Sequence, residues 1–204
     1  GGESVDIARD LPPYQCFDYV QSFSGNVFAF IVADSHGFHL YCVDLNAKGV
    51  LGTRHLVYSN KNLLMNLCLS YRGDIAVLAS IEYSGKWGQF NLVAVDTASG
   101  KKIAELSDGL NTCIEPCFFS RCVDDYRIIA LTDKSGAKKP FMWDVNTTER
   151  YNLQIEDLEG DITVSDWSLD GKEIILCQYH QAVQHLYVYN LETDSLTRLD
   201  HPNG

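Results

Sequence analysis

The chain of 204 residues contains no apolar stretch close to the ~20 residues that a membrane-spanning helix needs, so a helical membrane role is not expected. Its first residues, Gly1-Gly2-Glu3-Ser4, lack the basic-then-apolar order of a secretory leader, and no signal peptide is expected there. Basic side chains are scarce: 16 Lys and Arg stand against 27 Asp and Glu, a formal net charge of −11. Affinity for nucleic acid comes mostly from Lys and Arg displacing counterions, so a surface this negative speaks against a nucleic-acid partner. The only basic clusters, Lys101-Lys102 and Lys138-Lys139, read as loop solubilisers. Helical i, i+3, i+4 periodicity is also missing throughout.

What is present suits a globular chain able to bury a core, with 46% hydrophobic and 21% charged residues. The seven cysteines, Cys16, Cys42, Cys68, Cys113, Cys117, Cys122 and Cys177, are odd in number, and several stand inside apolar strand patterns. Buried free cysteine behaves as a small hydrophobe, which predicts a reducing compartment, the cytoplasm. The single sequon, Asn146-Thr147-Thr148, would matter only in a secreted protein.

The main signal is an internal repeat. Four times an apolar strand ends near a serine: Ser24, Ser70, Ser120 and Ser168. A polar turn and an aliphatic strand follow, then a loop and a third strand that closes on Asp44, Asp96, Asp144 or Asn190. Both marker sets keep a period of about 48 residues. The second strands, Val27 to Val32, Ile75 to Ala79, Arg127 to Leu131 and Glu173 to Cys177, are short apolar runs bounded by turn residues, as expected of strands buried on both faces. Third strands include Phe38 to Val43, Phe90 to Val95 and His185 to Tyr189. Weaker fourth strands fall at Arg54 to Tyr58, Lys102 to Leu106, Arg150 to Ile155 and Leu196 to Leu199. Arg72-Gly73-Asp74 and Asp170-Gly171 supply residues that tolerate positive φ in tight hairpins. The fold class expected is all-β: four four-stranded antiparallel β-propeller blades, part of a larger propeller. The rival is a β-sandwich, which does not repeat its markers in register. The expected division is a leader or linker over 1–13 and blades over 14–60, 61–108, 109–160 and 161–204.

Ser165-Asp166-Trp167-Ser168-Leu169-Asp170-Gly171-Lys172-Glu173-Ile174 resembles the W-S-x-D-G-K-x-I element of TolB-like repeats, which also build the N-terminal propeller of prolyl oligopeptidase family (S9) serine peptidases. Leu186 to Thr193 and Leu196 to Leu199 continue the pattern, with Asn190 where the family usually has Asp. Trp143-Asp144 gives a weaker resemblance to WD40 repeats, although the Gly-His pair of that family is missing. The resemblance implies rings of six to eight blades. Four blades would then be a fragment, or a half-ring pairing with a second copy as a homo-oligomer. A closed four-bladed ring is the third alternative.

No catalytic, cofactor-binding or metal site is expected. A peptidase of this kind would carry its serine in G-x-S-x-G, which does not occur here. Of the six histidines (His36, His39, His55, His180, His185 and His201), none stands in a nucleophile, base and acid set; His180 and His185 read as exposed loop residues. Cys113-x₃-Cys117-x₄-Cys122 lacks a tight zinc knuckle, and Asp157 to Asp161 lacks the spacing of a calcium loop. Asp44, Asp96 and Asp144 read as caps of separate turns. Glu82-Tyr83-Ser84-Gly85-Lys86-Trp87-Gly88 reads as a solvated hairpin with one packed tryptophan, the alternative being a contact surface at its tip. Two functions are therefore expected: a non-catalytic propeller beside a C-terminal hydrolase domain, as the resemblance implies, or a free-standing scaffold for a protein partner.

Overall fold

The computed structural model describes residues 6–45 and 51–200. These form four separate four-stranded sheets, each an antiparallel meander in chain order. The first holds β1 (Gln15–Gln21), β2 (Val27–Asp34), β3 (Gly37–Leu45) and β4 (Leu51–Asn60). The second holds β5 (Leu64–Leu69), β6 (Ile75–Ser80), β7 (Asn91–Asp96) and β8 (Lys102–Leu106). The third holds β9 (Ile114–Phe119), β10 (Arg127–Thr132), β11 (Lys139–Asp144) and β12 (Arg150–Asn152). The fourth holds β13 (Asp161–Trp167), β14 (Glu173–His180), β15 (Val183–Asn190) and β16 (Ser195–Arg198). No helix occurs among the described residues. The sheets are propeller blades.

Strand alternation explains the stacking. In β6 and β7, Ala76, Leu78, Val93 and Val95 face Ala29, Ile31, Leu40 and Cys42 of blade 1. Their sequence neighbours Ile75, Val77, Leu92 and Ala94 face Ile128, Ala130, Phe141 and Trp143 of blade 3. Successive side chains point to opposite sides of a strand, so one continuous apolar run fills two interfaces. A sandwich would bury one face of each sheet only. Blade 4 repeats the scheme, with Trp167, Ile174, Leu176 and Tyr189 against Ile129 and Met142 of blade 3. The innermost strands β1, β5 and β9 lie side by side, as blades around an axis require.

The turns between first and second strands share one design. The amides of Ser70 and Ser168 donate to the carbonyls of Ile75 and Glu173, and each serine hydroxyl accepts the returning amide of the same residue at 3.0 and 2.9 Å. In blade 1 this role belongs to Ser22, whose hydroxyl accepts from the Val27 amide at 3.0 Å, and not to Ser24 two residues on. The corrected serine positions 22, 70, 120 and 168 are spaced 48, 50 and 48 residues apart. Gly73 has φ +80°, and a Cβ there would stand 2.6 Å from the Val27 side chain, so the turn of blade 2 is set tightly against blade 1. Third strands end as expected: Asp96, Asp144 and Asn190 accept backbone amides two or three residues on, which closes the turn. The turn after Asp44 lies outside the described residues.

Further links tie the same edge of the blades together. The Ser24 amide donates to the Tyr71 carbonyl at 2.9 Å, and the rings of Phe23 and Tyr71 are 5.6 Å apart. Arg121 of blade 3 lies over Phe23 of blade 1 at 5.6 Å and pairs with Asp166 of blade 4.

The two outermost sheet faces differ. On blade 1, Phe30, Val32 and Val43 are buried with Ile7 and Leu11 packed against them. Arg54 holds that segment by donating to the Ile7 carbonyl at 2.6 Å and to both Asp10 carboxylate oxygens at 2.8 and 2.9 Å. The segment makes a single turn, with the Leu11 amide donating to the Ala8 carbonyl at 2.9 Å. The same i, i+3 bond recurs from Leu158 to Ile155 at 3.0 Å, where both side chains sit between blades 3 and 4. On the outer face of blade 4, Ile175 and Val188 pair across strands, as do Cys177 and Leu186, with no sheet against them among the described residues.

Candidate interaction face

A sequential meander places its first and third turns on one edge of the blades, and its second turn and blade connectors on the other. The first edge carries the tight Ser, Gly and Asx turns just described. The opposite edge carries the two longest described loops, residues 81–90 in blade 2 and the connector 153–160, together with 133–138 in blade 3 and the connector 107–113. Loops held by a rigid scaffold are where binding residues concentrate, so this wide-loop edge is the candidate functional face.

Its most prominent feature is Trp87, which is 75% exposed, with Leu110 at 67% and Tyr83 at 56% nearby in the sequence elements of this face. The Trp87 loop is well braced. Ser84 Oγ donates to the Gln89 carbonyl at 2.8 Å and accepts from the Lys86 amide at 3.1 Å. Gln89 and Asn111 exchange hydrogen bonds at 3.0 and 3.2 Å, which fastens the loop to the next connector. Gly85 and Gly88 have φ of +65° and +79° with open space where a Cβ would stand, so they serve backbone conformation and not packing. The indole also meets buried Phe90 edge-on at 5.8 Å. An exposed tryptophan held in one geometry loses little entropy on binding.

Between blade 3 and the connector to blade 4 lies a cavity of about 470 Å³. Under its rim is Asp108, whose side chain is only 3% exposed and pairs with Arg150. Burial pushes the Asp108 carboxyl up, but hydrogen bonds from Thr132 and Arg150 outweigh this and hold it below the ordinary aspartate value. Arg150 also donates to Asn152 at 3.2 Å and lies 3.9 Å over the Phe141 ring. Lys138 and Lys139, read from sequence as a solubilising pair, part company. Lys138 pairs with Glu115 at the surface at 2.9 Å, whereas Lys139 turns inward and donates to the Leu158 carbonyl.

The other sequence candidates are dispersed. Cys113 Sγ is 3.8 Å from Glu115, Cys117 lies within β9, and Cys122 points to the Leu169 carbonyl at 3.6 Å. Burial raises the thiols of Cys42 and Cys117 to about 12 and that of Cys113 to about 11, so they stay protonated and poorly nucleophilic at neutral pH. His180 ends β14, 3.4 Å from Glu159, and His185 stands inside β15, 3.0 Å from Arg198; neither is a free loop histidine. His201 lies outside the described residues.

One arrangement escaped the sequence reading. His39 joins Ser59 at 2.9 Å through Nδ1 and Asp34 at 3.0 Å through Nε2. By distance this is a nucleophile, base and acid series. Its setting is different: Ser59 lies on β4 directly across from His39 on β3, and Asp34 also accepts the His36 amide at 2.7 Å to close its hairpin. Acyl transfer needs amides aimed at an oxyanion, which turns supply more readily than a regular strand. The row is a cross-strand ladder that satisfies His39. A separation of 20 residues between His39 and Ser59 carries no motif.

No family model and no curated protein matches the chain. Solved structures do. TolB from Acinetobacter baumannii superposes with a TM-score of 0.65 at 16% identity, covering 91% of this chain and 43% of that one. Oligogalacturonate lyase from Vibrio parahaemolyticus gives 0.61 at 14%, covering 93% and 54%. A puromycin-hydrolyzing peptidase of Mycobacterium tuberculosis gives 0.60 at 16%, covering 93% and 32%. The chain therefore has the fold of the TolB and peptidase-type propellers, and it spans about a third to a half of the length of these structures.

Proposed function

We propose that the chain is a non-catalytic β-propeller module, the accessory or gating propeller of a prolyl oligopeptidase-like serine peptidase whose hydrolase domain is its partner. The supporting observation is that 93% of the chain superposes on only 32% of a peptidase chain, and its last blade carries the W-S-x-D-G-K-x-I element. The wide-loop face offers the contact surface, with Trp87 as its anchor. The repeated one-turn connector supports further blades: the turn at 8–11 lies on blade 1 in the form that the 155–158 turn takes between two blades. On this reading additional blades, and not a second copy of the chain, complete the ring. Seven unpaired cysteines favour a reducing compartment such as the cytoplasm.

The second reading, a free-standing TolB- or WD40-like scaffold for a protein partner, draws on the TolB likeness and on the same tryptophan. Reading the coding sequence on both sides of these residues separates the two. A downstream G-x-S-x-G followed by Asp and His is the expected result; further blades followed by a stop would overturn the peptidase reading in favour of the scaffold.

A further inference from the structure

The cavity beside Asp108 has a chemistry unlike the rest of the surface. The chain carries a net charge of −11, yet three cations, Lys134, Lys139 and Arg150, line this one hollow against a single carboxylate, Glu156. Their partners differ. Arg150 is committed to Asp108 and Asn152 and is stacked on Phe141, so it forms a fixed wall. Lys134 stands 3.8 Å from Asp108 with its side chain 63% exposed. Lys139 has no carboxylate within ion-pair distance among the described residues, and its ammonium meets only the Leu158 carbonyl. Asp161 and Glu159 act on it from farther away; Asp161 is taken up by the Lys138 amide at 2.8 Å, and Glu159 lies beside His180 at 3.4 Å. A half-buried ammonium with no carboxylate in contact is only partly compensated, and a negative group brought against it would complete it. The remaining walls are apolar at Pro140, Phe141, Leu153 and Ile155 and polar at Thr132, Ser135, Asn152 and Glu156.

We propose that this cavity binds a small organic carboxylate with an apolar body, its carboxylate held by Lys139 and Lys134 and its body lying along Phe141, Leu153 and Ile155. The volume of about 470 Å³ falls within the ~300–1,000 Å³ of small-molecule sites, too large for a bare inorganic anion and right for a ligand of modest size. Apolar walls with a few placed charges are the general design of such sites, the walls supplying affinity and the charges orientation. Burial pulls the Lys139 ammonium below the ordinary lysine value, and a bound carboxylate would restore it. The site lies wholly within blade 3 and its connector, so it stands independently of what the propeller accompanies.

The test uses the 204-residue chain, isotope-labelled for amide NMR, titrated with 3-phenylpropionate, hexanoate and indole-3-acetate. The neutral isostere 3-phenyl-1-propanol is the control. The expected result is saturable binding of at least one acid, with shifts confined to residues 132–141 and 150–156. The alcohol should bind at least about tenfold more weakly than its acid. Lys139→Gln should weaken acid binding about tenfold and the exposed Lys134→Gln about threefold. The wild-type comparison of acid with alcohol remains decisive should Lys139→Gln fail to fold. Equal affinity for acid and alcohol, shifts elsewhere, unchanged affinity in both lysine variants, or no saturation by any acid near ~10 mM would each overturn the proposal.

Discussion

The Tyr126 hydroxyl donates to Asp74 at 2.7 Å, and the other oxygen of the same carboxylate accepts the Ser70 hydroxyl at 2.5 Å. One side chain thus closes the turn of blade 2 and fastens blade 3 to it. That bond, then burial, raises the Tyr126 phenol to about 12. A raised phenol favours the protonated form in the folded state, so its contribution is complete below the ordinary value near 10. It disappears as pH rises through about 12. Tyr126→Phe should cost roughly 1 kcal/mol in urea unfolding at pH 7. The variant should also lose less stability than wild type between pH 10 and 12; parallel alkaline profiles would show that the bond contributes nothing.

Asp108 works in the opposite direction. Its lowered carboxyl contributes stability above the ordinary aspartate range, and that contribution is lost as pH falls through the folded-state value. Asp108→Ala would remove the acceptor of Thr132 and the carboxylate partner of Arg150, which keeps only the Asn152 acceptor, and should cost about 3 kcal/mol at neutral pH, most of it gone in strong acid. Chemical denaturation followed from pH 7 down into strong acid measures both.

The position of Gly73 gives a third expectation. Gly73→Ala forces a Cβ to 2.6 Å from Val27 at φ +80°, whereas Gly136→Ala, at φ +87°, meets open space. Both carry backbone strain of about 1 kcal/mol, so the excess loss in Gly73→Ala, expected at 1–3 kcal/mol, measures the contact between blades 1 and 2. Equal melting temperatures would mean that the blades separate there at little cost.

The Ser59, His39 and Asp34 row should show no hydrolytic turnover. The chain is expected to cleave p-nitrophenyl acetate at the background rate, with Ser59→Ala unchanged. A rate above background that Ser59→Ala abolishes would make the row a site and remove the non-catalytic reading.

Trp87→Ala should leave stability within about 0.5 kcal/mol, since the side chain is mostly exposed. In the whole protein or with its partner, the same change should weaken domain association by at least about tenfold. Calorimetry and a binding titration, run together, separate the two effects.

Much of the fold could be read because β6 and β10 are apolar at almost every position, a pattern that sheets covered on both faces impose. The Asx turns at Asp96 and Asp144 were legible for a related reason: each needs one acceptor at a fixed place in a repeat. The misplacement of Ser22 has a local cause, since Ser22 and Ser24 share one turn with their hydroxyls 3.3 Å apart, and spacing alone does not choose between them. Trp87 stood out as an aromatic among loop residues, but the packed tryptophan expected there is 75% exposed, because its loop turns the indole outward with only the Phe90 ring against it among the described residues. The Asp108 cavity was not, because Asp108 and Arg150 stand 42 residues apart and meet only through the stacking of blades. Lys139 misled for the same reason: whether a lysine beside a turn faces water or a hollow depends on a neighbour that its own segment does not contain.

Arg121 has a mechanical consequence. By lying over Phe23 and pairing with Asp166, it spans from the first sheet to the fourth, while Phe23 in turn leans on Tyr71 of the second. Such a strut along one rim resists hinging between adjacent sheets, so the array should move as a stiff plate. Whatever reaches the opposite rim would then arrive through motion of its own loops or of a neighbouring domain, and not through a gap opened between these four sheets.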